Sequence, residues 1–331
     1  MSAATDTPIE VRRAVPADRR AVLGLLAASL GWSADDQFDA FFTWKHDANP
    51  FGSSPAWVAV ADQQVVGFRT FLRWEFIGAQ GEVRRAVRAV DTATHPDFQG
   101  RGIFRRLTLE AVDGLVADRV DFVFNTPNAQ SRPGYLKMGW SELGRLPTAV
   151  RLASPASLTR VAHARVPAGR WSTESSAGRS ASDVLSDPRL ADLLASTEPN
   201  DRLRTNRTVE FMRWRYGFGR LAYRAMTLSD DLADGVALFR LRQRGAALEC
   251  ALCDVVVPAG GVASRRALVK AVVRTSGADY TIRLGRRVVD RLGFVRLPRQ
   301  GPTLLWRPLT ENLDAADLDR WDLVLGDIEL F

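Results

Sequence analysis

Hydrophobic positions change their period several times along the chain, and each change marks an element. In EVRRAVPADRRAVLGLLAASL (residues 10–30) a short extended run passes through a Pro-Ala-Asp turn into a helix. Its apolar Val22, Leu25, Leu26 and Leu30 recur at helical spacing, with Asp18 as the expected N-cap. From Ser54 to His95 the pattern alternates apolar and polar residues through three segments. They are broken at Ala61-Asp62-Gln63 and near Gly78–Gly81, which predicts an antiparallel meander. A helix follows in GIFRRLTLEAVDGLVAD (residues 102–118), whose Ile103, Leu107 and Val112 would face a sheet. VDFVFNTP then reads as a buried strand, SRPGYLKMGW as a short helix ending at Gly139, and SELGRLPTAVRLA as a closing strand.

The second half repeats the order of the first. FFTWKH (Phe41 to His46) recurs as FMRWRY (Phe211 to Tyr216), VVGFRTFLR is echoed by ADGVALFRLR, and YLKMGWSELGRLP by VDRLGFVRLPRQG. Echoes in the same order predict a tandem duplication with a shortened second copy. The expected organisation is a domain over 1–153, an Ala/Ser/Arg/Pro-rich connector over 154–205, and a second domain over 206–331.

Composition refines this picture in four places. With 331 residues, 46% hydrophobic and 25% charged, the chain has enough apolar material for two cores. No run approaches a membrane span, and the amino-terminal MSAATDTPIEVRR lacks an apolar signal core, so a cytoplasmic protein is expected. The formal charge of +7 comes almost wholly from arginine, since lysine occurs only at 45, 137 and 270. The arginines are scattered, as on solvated faces, although a polyanionic partner also fits the charge. Cys250 and Cys253 have C-x-x-C spacing, which suits a metal or a redox pair. In a strand, however, that spacing points the sulfurs to opposite faces, so buried thiols and no metal are expected.

The densest chemical signal is HPDFQGRGIFRRL, residues 95–107. Glycines just before a helix open its unpaired N–H groups to an anion, and the helix dipole favours negative charge there. Neither the dinucleotide fingerprint nor the P-loop is present. The run Gln99-Gly100-Arg101-Gly102-Ile103 resembles motif A of the GCN5-related N-acetyltransferases (GNATs), written [RQ]-x-x-G-x-[GA]. Phe104 stands where Gly or Ala is usual. The resemblance spans residues 8 to 153, and over the second half it covers the layout alone, without a counterpart of the glycine run. It implies an α/β (α+β) tandem GNAT fold, each copy a mixed, mainly antiparallel sheet flanked by helices, the second degenerate.

The resemblance also implies an acetyl-CoA or other acyl-CoA donor. Its pyrophosphate would lie on the backbone N–H groups of Gln99 to Phe104, and its pantetheine arm along the strand through Val90, Thr92 and Thr94. Asn125, at the end of the next strand, would bind the pantetheine or order that loop. Tyr135 stands as in the family's Y-x-K-x-G-[FW] segment, where the hydroxyl protonates the coenzyme sulfur. For the base, Asp91 on the motif strand, His95, and the carboxylate of Phe331 are the candidates. The last rests on a likeness to mycobacterial aminoglycoside acetyltransferases. Trp44 and His46 would line the acceptor pocket, to which Trp32, Phe51 and Trp74 are possible additions.

The expected reaction is direct acyl transfer to an amine of a small molecule. Two alternatives stay open. An aminoacyl-tRNA-dependent transferase of the same fold would use the arginine excess on phosphates, and a non-catalytic CoA-binding protein would dispense with Tyr135.

Overall fold

The computed structural model describes residues 8–30, 36–164, 166–284, 292–311 and 313–329. Its first elements are β1 (Glu10–Arg13), α1 (Arg19–Leu30), α2 (Asp36–Phe42), β2 (Ala56–Ala61), β3 (Gln64–Ile77) and β4 (Val83–Thr94). There follow α3 (Ile103–Ala117), β5 (Phe122–Asn125), α4 (Arg132–Lys137), β6 (Ser141–Arg145), β7 (Thr148–Leu152) and α5 (Ser157–His163). The middle of the chain holds β8 (Arg179–Ser180), α6 (Ala181–Leu185), α7 (Leu190–Ala195), β9 (Arg204–Thr205) and α8 (Val209–Gly217). The last part is β10 (Arg224–Met226), β11 (Val236–Arg244), β12 (Ala247–Val256), α9 (Val262–Thr275), β13 (Tyr280–Leu284), β14 (Val295–Arg296), β15 (Thr303–Pro308) and α10 (Leu325–Ile328).

Two compact units result. One comprises 1–76, 83–143 and 304–314, the other 77–82, 144–303 and 315–331. In the first, strands run in the order β1-β2-β3-β4-β5-β15-β6, with β4 and β5 parallel. The helix α3 lays Ile103, Leu107, Ala111, Val112 and Leu115 on Trp57, Ala59, Phe71, Val87 and Ala89 of this sheet. Each large side chain so buried contributes roughly 1.5–3 kcal/mol of transfer free energy. Gly67 allows the close approach, because a Cβ there would meet Ile103 Cγ2 at 2.5 Å. Val22, Leu25 and Leu26 of α1 are buried as the periodicity requires, whereas Leu30 is exposed. Asp18 does not cap α1. Its carboxylate turns back to accept from Val15 N–H at 2.8 Å and pairs with Arg12 at 2.7 Å.

The second unit repeats the plan in the order β8-β10-β11-β12-β13-β7-β14, with β12 and β13 parallel. Here α9 buries Leu268, Val269 and Val272 against Ala237, Phe239 and Leu241. The segment expected as a connector is built into this unit. It supplies edge strand β8, which pairs with β10, and the buried Ala181, Leu185, Leu190 and Leu193. Cys250 and Cys253 are free, buried thiols, and they point to opposite sides of β12 as the alternation demands. Cys250 joins the α9-side core, while Cys253 Sγ lies 3.3 Å from Glu329 Oε2. Burial pushes the Cys250 thiol up to about 12, which leaves it unreactive. Burial alone would raise Glu329 too, but Arg240, Arg242 and Arg215 hold it at about 2.

One expectation is corrected. SELGRLPTAVRLA is two strands in different sheets. Gly144, at φ +130°, and Pro147 interrupt the run, so β6 stays on the first sheet while β7 pairs with β13 of the second. In exchange, β15 pairs with β5 of the first sheet. Each parallel pair is thus flanked by a strand from the opposite half of the sequence.

The two units share an irregularity. The β4–β5 ladder ends at Arg88/Phe124, three residues before Asp91, whose φ is +40°. The β12–β13 ladder ends at Ala251/Ile282, three residues before Asp254, and the β11–β12 register slips beside Asp254. Beyond those points the parallel strands part in both units.

Candidate active site

The site expected from the sequence gathers where β4 and β5 separate. At the turn entering α3, Gly100 and Gly102 have φ of +76° and +71°, conformations that L side chains resist. A Cβ at either would meet nothing within 4 Å, so the space above both is open. The first N–H groups of α3 have no acceptor within the helix. A groove of about 350 Å³ runs from this turn along the end of β4. It is lined by Thr92, Thr94, Gln99, Gly100, Gly102, Ile103 and Phe104, among others. The turn and strand residues named from the sequence therefore lie together. Val90 sits in the same strand but is buried. Arg101 lies over the Phe98 ring, and Arg106 turns away to donate to Ile9 O at 2.7 Å.

Phe104 does not block the turn. Its ring packs edge-on against Tyr135, with centroids 5.5 Å apart, and joins the α3-side core. Asn125 is 3% exposed and its Oδ1 has no hydrogen-bond partner among the described residues. A buried orphan acceptor is costly, and a ligand N–H would satisfy it.

Tyr135 is buried on α4, and its hydroxyl accepts from Arg69 Nη2 at 2.6 Å. Arg69, itself 1% exposed, also donates to Thr92 Oγ1 and lies over the rings of Phe71, Phe104 and Tyr135. No carboxylate pairs with it among the described residues. Arg69 was missed in the sequence, where it reads as one polar position of an alternating strand. Ala89 and Arg69-bound Thr92 meet the same side of the sheet although they are three apart. The alternation breaks between them, at the positive φ of Asp91.

That break turns Asp91 away from Tyr135. Its side chain is 7% exposed and Oδ2 accepts from Lys45 Nζ at 2.7 Å and meets His46 Nε2 at 2.8 Å. His46 Nδ1 meets Ser54 Oγ at 3.0 Å. Burial alone would raise the Asp91 carboxyl, but Lys45 and His46 hold it far below the usual range. Burial lowers His46 against the pull of Asp91, so it is neutral near pH 7. Neither group matches its expected place. Asp91 is committed to an ammonium, and His46 is enclosed at 2% exposure instead of lining an open pocket. Trp44 is half-buried against Phe41, and Trp74 is buried. His95 accepts from Asp97 N–H in its own turn. Phe331 and Trp32 lie outside the described residues.

The second unit carries the same anchor in altered form. Asp254 pairs with Arg207 at 2.7 Å and accepts from the Tyr216 hydroxyl at 3.4 Å. Tyr216 occupies the position of His46 in the FFTWKH/FMRWRY echo.

Residues 10–143 match the family model of the acetyltransferase (GNAT) domain. Over those residues the chain is similar to a GNAT acetyltransferase domain. Its strand–turn–helix with open glycines is the part that the motif singled out. The whole chain also has the fold of larger solved proteins. A probable N-acyltransferase from Enterococcus faecalis superposes with a TM-score of 0.65 at 10% identity, over 92% of this chain and 73% of that one. A GCN5-related N-acetyltransferase from Anabaena variabilis gives 0.60 at 12% identity, over 92% and 73%. Eis1 from Mycobacterium abscessus gives 0.57 at 13% identity, over 91% and 74%. At such identities the likeness is one of fold. Comparison with curated protein sequences returns no match. Among the described residues no helix is long and apolar enough to cross a membrane, and no group of acidic, His or Cys side chains could hold a metal.

Proposed function

We propose that the protein transfers an acetyl or other short acyl group from its coenzyme A thioester to an amine of a small molecule. One observation carries this reading: the open Gly100–Gly102 turn and the parted end of β4 line one groove, and the Tyr135–Arg69 pair packs behind its lining residues Phe104 and Thr92.

The amides of the turn and the first residues of α3 would receive the pyrophosphate. The backbone from Val90 to Thr94, no longer laddered to β5, would pair with the pantetheine amides as with an added strand. Asn125 Oδ1 would accept one of their N–H groups. The donor supplies a thioester carbon. The amine nitrogen bonds to that carbon, the C–S bond breaks, and the sulfur takes the Tyr135 proton while the amine releases its own to water. Arg69 has no acceptor atoms, so it engages the phenol oxygen as a donor and leaves the O–H directed elsewhere. Asp91, tied to Lys45 and His46, would anchor the break in the alternation of β4, and the base is not assigned to it.

A thermal-shift screen tests this reading against its rivals. Acetyl-CoA at about 100 times its Kd should stabilise the chain by about 2.7 kcal/mol, and bulk tRNA should not. Stabilisation by tRNA alone would move the donor to the aminoacyl class. Stabilisation by acetyl-CoA without release of CoA thiol across an amine panel would favour a non-catalytic binder.

A further inference from the structure

The parted strands of the second unit enclose a cavity of about 340 Å³. It occupies the place, relative to β12 and α9, that the first groove occupies relative to β4 and α3. Its volume lies at the lower end of small-molecule sites. The floor is apolar, formed by Val255, Val257, Val269 and Leu284, and Arg204, Arg265 and Arg283 stand on its walls. Three carboxylates also reach the lining. Asp254 is taken up by Arg207, Asp322 accepts from Asn200 at 2.7 Å, and Glu198 stands at the exposed rim.

The turn entering α9 differs from its counterpart in a way that limits the ligand. Gly260, at φ +73°, has open space where a Cβ would stand, as Gly100 and Gly102 do. Gly261 does not. A Cβ there would lie 2.8 Å from Pro258 O and 3.1 Å from Val257 Cβ, so the chain itself fills that side. The turn into α9 thus has one open glycine where the turn into α3 has two.

We infer that the second unit binds a single-headed organic anion, a carboxylate or phosphate monoester on a short apolar body, and not a second coenzyme A. The head lies at Gly260 and Arg265, and the body lies on the Val255–Val257 strand. The site is separate from the acyl-transfer groove.

Calorimetric titration of the full chain with hexanoate, hexyl phosphate, hexanol and ADP tests this. At least one of the two hexyl anions should bind about tenfold or more tightly than hexanol, a margin of about 1.4 kcal/mol. Which of them binds identifies the head. Arg265→Glu, at a half-exposed position, should remove that margin in a chain that still melts cooperatively. Equal binding of hexanol, tightest binding by ADP, an unaffected Arg265→Glu variant, or no binding at millimolar concentration would each overturn the inference. Failure of acetyl-CoA to bind would count against the acyl-transfer reading and leave the Arg265→Glu comparison intact.

Discussion

The guanidinium of Arg69 donates to the hydroxyl of Tyr135 across 2.6 Å, deep beside the groove, and no carboxylate balances its charge among the described residues. A buried donor in that position fixes where the phenol proton can point. Tyr135→Phe should therefore lower kcat by about 100-fold or more while changing the acetyl-CoA Kd little. Arg69→Lys, which keeps the charge but loses the two-armed geometry, should lower kcat by about tenfold with KM for acetyl-CoA nearly constant. Steady-state kinetics on both variants provides the check. Unchanged turnover in Tyr135→Phe would remove the acid role.

Asp91 carries a different expectation. Removing one member of a buried ion pair leaves a desolvated charge behind, a cost of about 3–5 kcal/mol. Asp91→Asn should lose stability on that scale, and Lys45→Met in the same chain should recover part of it. Denaturant melts of the two single variants and the double variant measure the coupling. A stable Asp91→Asn protein with abolished turnover would make Asp91 catalytic after all.

The same cluster sets a pH dependence. Burial lowers His46 below its ordinary value of 6.5, so the unfolded chain binds the proton more readily. Stability from this group is complete above that value and declines as pH falls from it toward the folded pKa. The depressed Asp91 carboxyl adds a second loss further into acid, below its unfolded range of about 4. His46→Gln should flatten the upper part of the decline, read as melting temperature from pH 7.5 down to about 5. A slope unaltered by the substitution would place the titration elsewhere.

Asn125 offers a test of the coenzyme arm. Its Oδ1 lacks a partner among the described residues, so Asn125→Leu should cost the fold little. The same change should weaken acetyl-CoA by about tenfold, through the lost hydrogen bond to a ligand amide. Equal affinity would show that pantetheine does not use this acceptor.

Local patterns made the meander, the helix α3 and the glycine turn legible in the sequence, because each rests on neighbours a few residues apart. The opposed faces of Cys250 and Cys253 followed from alternation for the same reason. The partners of Asp91 did not. Lys45 and His46 lie on another element, and the break in alternation that turns Asp91 toward them is one positive φ at a non-glycine residue. The exchange of β7 and β15 was equally hidden, since strand order depends on pairings more than 120 residues apart that no local pattern encodes. Arg69 looked like a solvent-facing polar position, and its burial became visible only with Phe104 and Tyr135 packed around it.

Hydrogen–deuterium exchange at the amides of Gln99 to Arg105, with and without acetyl-CoA, tests the central claim most directly. These amides and those from Val90 to Thr94 should gain protection together on adding the ligand, with the turn into α9 unaffected. Exchange at the Gly100–Gly102 turn that stays the same under saturating acetyl-CoA would contradict it.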